Sequence, residues 1–169
     1  AEHLGPILLG TYEQELHPWL RELQILPIRK VIDIGAKFGY YAVGFARWFP
    51  DGDVVAVDTD PWARRALRQM ARENSIANLE IRGYTTARDL AEMVVPGTLV
   101  FSDCEGFEDA LFSEATASKF WESWLVIETH EALVPGVEAR LRRRFEATHQ
   151  VRVVDEEPRR PPVQVEGIL

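Results

Sequence analysis

A single cysteine, Cys104, stands among 169 residues, so no internal disulfide can form and nothing calls for an oxidising compartment. A cytoplasmic location is the expectation. Long apolar runs are also missing. None approaches the ~20 residues that span a bilayer, and the first residues lack the basic-then-apolar order of a secretory signal. No membrane partner is expected. Cations are outnumbered, 19 Lys and Arg against 27 Asp and Glu, for a formal charge of −8. A protein that holds nucleic acid by neutralising phosphates needs the opposite surplus, so no nucleic-acid partner is expected either. The local cluster Arg140, Arg142, Arg143 and Arg144 falls on a helix and reads as a solvated face. No Gly/Ser-rich or Pro-rich linker interrupts the middle of the chain and no repeat is visible, so residues 1–169 read as one domain.

What the sequence does have is apolar volume, 46% hydrophobic residues with five Trp and eight Phe. Runs of β-branched residues alternate with segments of helical period. That is the pattern of an α/β fold, a parallel sheet covered by helices on both faces. A first helix over residues 12–26 places Leu16, Trp19, Leu20 and Leu23 on one face and stops at Pro27. Strands are predicted at 30–34, 53–57, 79–82, 98–102 and 124–129, with helices over 39–49, 61–74, 86–93, 108–121 and 137–148. Two more extended stretches, 150–155 and 163–167, are expected to form a closing antiparallel hairpin across the Pro-rich join 158–162.

The segment VIDIGAKFG, Val31 to Gly39, puts a glycine turn between the first strand and its helix. Such a turn brings backbone N–H groups and a helix N-terminus to a ligand, so nucleotide binding is expected here. A dinucleotide pyrophosphate requires G-x-G-x-x-G, and Asp33 stands where the first glycine would fall. A carboxylate suits instead the ammonium and sulfonium of S-adenosylmethionine (SAM). Gly35 and Gly39 supply the close approach, and Lys37 is in reach of a ligand carboxylate. Asp58 ends the second strand 23 residues after Gly35, where an acid accepts two ribose hydroxyls in either cofactor class. Within Asp58-Thr59-Asp60-Pro61, Asp60 is expected to cap the next helix while Asp58 binds.

In order, VIDIGAKFGYYAVGFA, VVAVDTDP, RENSIANLEI and SDCEGFE resemble the successive motifs of FkbM-type class I methyltransferases, and GTYEQEL resembles a segment often found ahead of them. The resemblance spans residues 10–130. It implies a Rossmann-like three-layer αβα sandwich whose seven-stranded sheet has order 3-2-1-4-5-7-6 with an antiparallel final strand. SAM then lies over the carboxyl ends of strands one to four. By the same resemblance Asp33, Gly35, Ala36 and Gly39 surround the methionyl part, Asp58 takes the ribose, and Gly83, Tyr84 and Thr85 lie near the adenine. Lys37, Thr59 and Asp103 complete the expected cofactor set. Tyr84 stands where many relatives of the fold have an acid, and Lys37 and Phe38 replace the usual Asn and small apolar residue.

Methyl transfer to oxygen needs alignment and a base. Asp103 and Glu105 follow strand four, and Glu128, His130 and Glu131 end strand five, so two acidic groups should face each other across a short gap. Asp103, Glu105 and His130 are the catalytic candidates, His130 for its unperturbed pKa near ~6.5. The competing structural reading has Glu108 capping its helix and His130 bonding loop backbone. A metal on Asp103, Glu128 and His130 is not expected, and Cys104 reads as a buried, inert thiol. The expected reaction is O-methylation of a small molecule or glycan, at a site that is open, finished by the N-terminal segment 1–28, or completed by another subunit of a homo-oligomer. The rivals are a nicotinamide-dependent oxidoreductase and a non-catalytic SAM-binding domain.

Overall fold

The computed structural model describes residues 6, 7 and 10–155. The chain divides into two compact units, residues 27–151 and a smaller one formed by residues 1–26 and 152–169. In the larger unit five strands, β1 (Lys30–Ile34), β2 (Asp53–Val57), β3 (Leu79–Arg82), β4 (Thr98–Ser102) and β5 (Trp124–Ile127), form one sheet of order β3-β2-β1-β4-β5. Every neighbouring pair is parallel. The predicted strands therefore fall in place, β5 being two residues shorter.

The seven-stranded sheet is corrected: among the described residues there are five strands and no antiparallel one. Residues 150–155 carry no ladder, and the second predicted stretch, 163–167, lies outside the described residues. The side chains at 150–155 agree with that. Val153 and Val154 are adjacent and both exposed, whereas a sheet strand would send one of them inward.

The central strands β1, β2 and β4 are buried on both faces, as their apolar runs require. Ile32, Ile34, Val55, Val57 and Val100 pack on one side with Leu90, Phe112, Phe120, Leu141 and Phe145. These come from α4 (Ala87–Met93), α6 (Val137–Phe145) and the segment between β4 and β5. Ala56 faces the other side, with Ala42 and Val43 of α2 (Tyr40–Trp48) and Leu67 of α3 (Pro61–Glu73). Asp60 caps α3 by accepting from Trp62 N–H at 2.8 Å, as read from the sequence. A reciprocal Thr86–Asp89 capping box opens α4.

The predicted helix 108–121 is broken into α5 (Glu108–Leu111) and a 3₁₀ turn, Ala117–Phe120. Between them Thr116 Oγ1 bonds the Ser113 carbonyl at 3.2 Å and its hydroxyl at 3.0 Å, local bonds that compete with the helical ladder. In the smaller unit the first helix is likewise shorter than predicted, a 3₁₀ turn Gln14–Leu16 and α1 (His17–Leu23). There Arg152 pairs with Glu22 at 3.3 Å and lies 4.9 Å from the centre of the Trp19 ring. Among the described residues no helix is long and apolar enough to cross a membrane.

The arginine cluster is only partly a solvated face. Asp109 accepts from Arg140 at 2.8 Å and Arg144 at 2.9 Å, and Arg144 also donates to the Phe112 carbonyl at 2.6 Å. Burial works to raise the Asp109 pKa, but the two guanidinium bonds outweigh it and hold the carboxyl below its ordinary range. A depressed folded pKa stabilises the fold above the unfolded pKa and loses that contribution as pH falls through the folded value. Asp109→Asn should therefore cost about 1–2 kcal/mol at neutral pH. In urea titrations the difference from the native chain should begin to shrink as pH falls below about 4 and be lost only once the depressed carboxyl is itself protonated; a pH-independent difference would remove the ion-pair explanation.

Candidate active site

The sheet order reverses between β1 and β4, and in an open parallel sheet the crevice beyond the carboxyl ends at that reversal is where ligands bind. The glycine turn leaves β1 there. Gly35 N–H and Ala36 N–H both donate to the Val57 carbonyl, at 2.9 and 3.2 Å, tying the turn to the tip of β2. Gly35 has φ +80°, and a Cβ on it would be driven onto the Asp103 carbonyl oxygen. Gly39, at φ +89°, opens α2 where a Cβ would run into Leu67 Cδ1. Only glycine fits either position. Asp33, 3% exposed, is paired in register with Ala56 and Phe101 one residue before β1 ends.

Asp58 is set by the same turn. Its Oδ2 accepts from Lys37 N–H at 2.7 Å and its Oδ1 from Asp60 N–H at 2.8 Å. Each oxygen keeps a lone pair for a hydroxyl, so the carboxylate is oriented and still able to bind. Arg64, unremarked in the sequence, braces this corner by donating to the carbonyls of Asp58 and Thr59 at 2.7 and 2.8 Å. Its guanidinium also lies beside Gly83, about 3.5 Å from where a Cβ there would stand. The structure thereby brings Asp58, Thr59 and Gly83 to one corner, with Tyr84 exposed beside them. A sequence signal existed: an arginine in the first turn of α3 can reach back to the carbonyls that precede it.

Across the crevice, Asp103 N–H donates to Ile34 O and Glu128 N–H to Ser102 O, both at 2.9 Å, extending the sheet past its strand ends. This gathers the acidic residues around one imidazole. His130 Nε2 lies 3.5 Å from Asp103 Oδ1, 3.5 Å from Glu105 Oε2 and 3.9 Å from Glu128 Oε1. The two predicted acidic groups do converge, except for Glu131. That carboxylate is spent on the N–H groups of Gly136 and Glu138, at 2.7 and 2.8 Å, at the start of α6.

The competing structural reading of Glu108 and His130 does not hold. Glu108 does not cap α5, whose N-cap is Phe107. Instead it is fully buried, and its Oε1 accepts from Gly106 N–H at 3.1 Å and lies 2.6 Å from His130 Nδ1. His130 thus bonds a carboxylate and not loop backbone. Glu108 closes the SDCEGFE string, but nothing local in the sequence reveals a contact made 22 residues away.

Lys37 supplies the positive charge of the cluster, its Nζ 3.5 Å from both Asp103 Oδ2 and Glu105 Oε1. Burial opposes its charge, but the two carboxylates raise its pKa further. Lys37 and Glu105 are both left-handed, at φ +46° and +51°, a conformation that costs non-glycine residues about 1–2 kcal/mol each. That strain falls on two side chains that meet in the crevice. Donor atoms of Asp103, Glu105 and His130 lie within 4.8 Å of one another, close enough for one cation to touch all three. The Lys37 ammonium already stands against the two acids.

His130 is 16% exposed at its side chain. Burial disfavours its charge, yet the Glu108 hydrogen bond and the charges of Glu108, Glu128 and Asp103 prevail and hold its pKa above the ordinary imidazole value. Cys104 is the reverse case. Burial, aided by the charge of Glu108, pushes its thiol up to about 12, so it stays neutral and is no nucleophile.

No protein-family model matches the chain. Over 129 residues it is 29% identical to methyltransferase str3 of Strobilurus tenacellus, an alignment covering 62% of this chain and 47% of that protein. It thus spans less than half of that relative. Among solved structures it is similar to an rRNA methylase from Streptococcus thermophilus, with TM-score 0.58, 16% identity, and coverage of 75% of this chain and 78% of that one. It is also similar to the O-methyltransferase TomG from Streptomyces achromogenes in complex with SAM, with TM-score 0.50, 23% identity, and coverage of 69% and 55%. The fold is that of the class I SAM-dependent methyltransferases.

Proposed function

We propose that the chain is a SAM-dependent methyltransferase of the FkbM type that methylates a hydroxyl oxygen on a small molecule or glycan. The observation that carries this reading is the meeting of a glycine turn, an oriented ribose acid and a histidine-carboxylate cluster at the sheet's switch point. The residues fit the cofactor. Gly35 and Ala36 hold the turn at the tip of β2 beside the crevice, Asp58 offers its remaining lone pairs to the ribose, and the anionic crevice suits a sulfonium. Asp33 and the absence of G-x-G disfavour a pyrophosphate.

When bound, SAM supplies an electrophilic methyl group on sulfur. His130 Nε2 would take the proton of the acceptor hydroxyl as its oxygen accepts the methyl group, with S-adenosylhomocysteine as the product that leaves. Asp103 and Glu105 stabilise the imidazolium so formed. The formal charge of −8 and the use of Arg140 and Arg144 by Asp109 favour a small acceptor over RNA.

Thermal unfolding with S-adenosylhomocysteine, NAD and NADP tests the cofactor. At 100 times its Kd the homocysteine analogue should stabilise the protein by about 2.7 kcal/mol, while stabilisation by the nicotinamide cofactors alone would remove the reading. Asp58→Ala deletes two charge-assisted bonds to the ribose. Titration calorimetry should then show S-adenosylhomocysteine binding weakened about 10- to 100-fold, whereas unchanged affinity would displace Asp58 from the ribose.

A further inference from the structure

We infer that Glu108 is the positioning residue of this site, holding His130 in the tautomer that carries its proton on Nδ1 and turns Nε2 toward the reacting oxygen. The inference rests on the methyltransferase reading for its purpose, but its geometry stands alone. Two nitrogens of one ring face two kinds of carboxylate. Nδ1 meets Glu108 at 2.6 Å, a charge-assisted hydrogen bond. Nε2 meets Asp103 and Glu105 only at 3.5 Å and Glu128 at 3.9 Å, outside hydrogen-bond length. An ionised carboxylate accepts and cannot donate, so with Glu108 in that form the 2.6 Å contact puts the proton on Nδ1. The second nitrogen is then the one whose proton comes and goes.

Burial makes the arrangement specific. Glu108 has no exposed surface, and a carboxylate withdrawn from water is costly unless hydrogen bonds and opposite charge offset it. Gly106 N–H and His130 both bond Oε1, while Oε2 is buried without a hydrogen-bond partner, so the charge of the imidazole is the main offset. The neighbouring Cys104 thiol remains neutral and adds no charge. Glu108 is therefore stabilised most when the imidazole is charged, and the imidazole is steadied in turn as it accepts a proton. Asp103 and Glu105 act in the same sense from the other side, moderated by the Lys37 ammonium that they share.

The two-bond ¹H–¹⁵N spectrum of the full chain, with the His130 signals identified from their loss in His130→Gln, tests this without any acceptor. Above its titration midpoint the native protein should show His130 as the Nδ1–H tautomer, and that midpoint should lie above the ordinary imidazole value. Glu108→Gln should lower the midpoint and admit the Nε2–H tautomer. Glu108→Asp keeps the charge and should hold the midpoint above that of the Gln variant. An Nε2–H tautomer in the native chain, or the same midpoint in native and Glu108→Gln proteins that both retain native near-ultraviolet dichroism, would overturn the inference. Calorimetry with S-adenosylhomocysteine on the same samples separates the two levels. Loss of that binding in the native chain would fail the methyltransferase reading and leave the tautomer result standing by itself.

Discussion

Gly35→Ala is expected to cost on the order of 4 kcal/mol or more, the largest stability loss from an added Cβ among the described glycines. Two independent terms coincide at Gly35. Its φ of +80° disfavours any L side chain, and the added Cβ has no free volume because the Asp103 carbonyl occupies that point. The carbonyl cannot simply retreat, since Asp103 N–H is bonded to Ile34 O at 2.9 Å and the strands on both sides are buried. Urea unfolding of the variant should show a lower midpoint, and S-adenosylhomocysteine should no longer stabilise it. Gly44→Ala is the control. A Cβ there meets nothing within 4 Å and lies within helix α2, so it should stabilise by about 0.5–1 kcal/mol. Similar losses in both variants would mean that the clash at Gly35 is relieved by movement of the turn.

His130→Gln is expected to lower methyl transfer by about 10²–10⁴-fold, the usual contribution of a positioned base. Glutamine can still donate to Glu108, so the buried carboxylate keeps a partner and the fold should hold. Binding of S-adenosylhomocysteine should stay within a few-fold, because the cofactor contacts assigned to Gly35 and Asp58 are untouched. The assay is formation of S-adenosylhomocysteine across a panel of hydroxylated small molecules and glycans.

The native rate should climb with pH through a midpoint above the ordinary imidazole value, since the base acts only when neutral and its pKa is raised. Retention of full rate by His130→Gln, with the same pH profile, would reduce the site's work to alignment alone.

Much of the frame was legible before any coordinates. Strands β1, β2 and β4 lie at their predicted boundaries because buried parallel strands must be short apolar runs, and such runs stand out between Pro, Gly and Asp. Asp60 declared itself a cap by its place before Pro61, and Gly35 a turn by its place after β1. These are local properties, written within a few residues. The expectation of seven strands added to the five the stretches 150–155, which carries no ladder, and 163–167, which lies outside the described residues. At 150–155 the adjacent exposed valines argue against a strand.

Sequence alone therefore determined the α/β alternation, the glycine turn and the acidic tip of β2, each fixed by backbone sterics or by hydrophobic period. Only the tertiary structure decided which of the carboxylates after β4 and β5 meet His130. It sent Glu131 to the start of α6, Glu108 into the core against Nδ1, and Asp103 and Glu105 into the crevice opposite Lys37. The physical reason is distance along the chain. A helix cap and a histidine's hydrogen-bond partner can be the same residue type at the same spacing, and sheet register and burial, which arise only on packing, tell them apart.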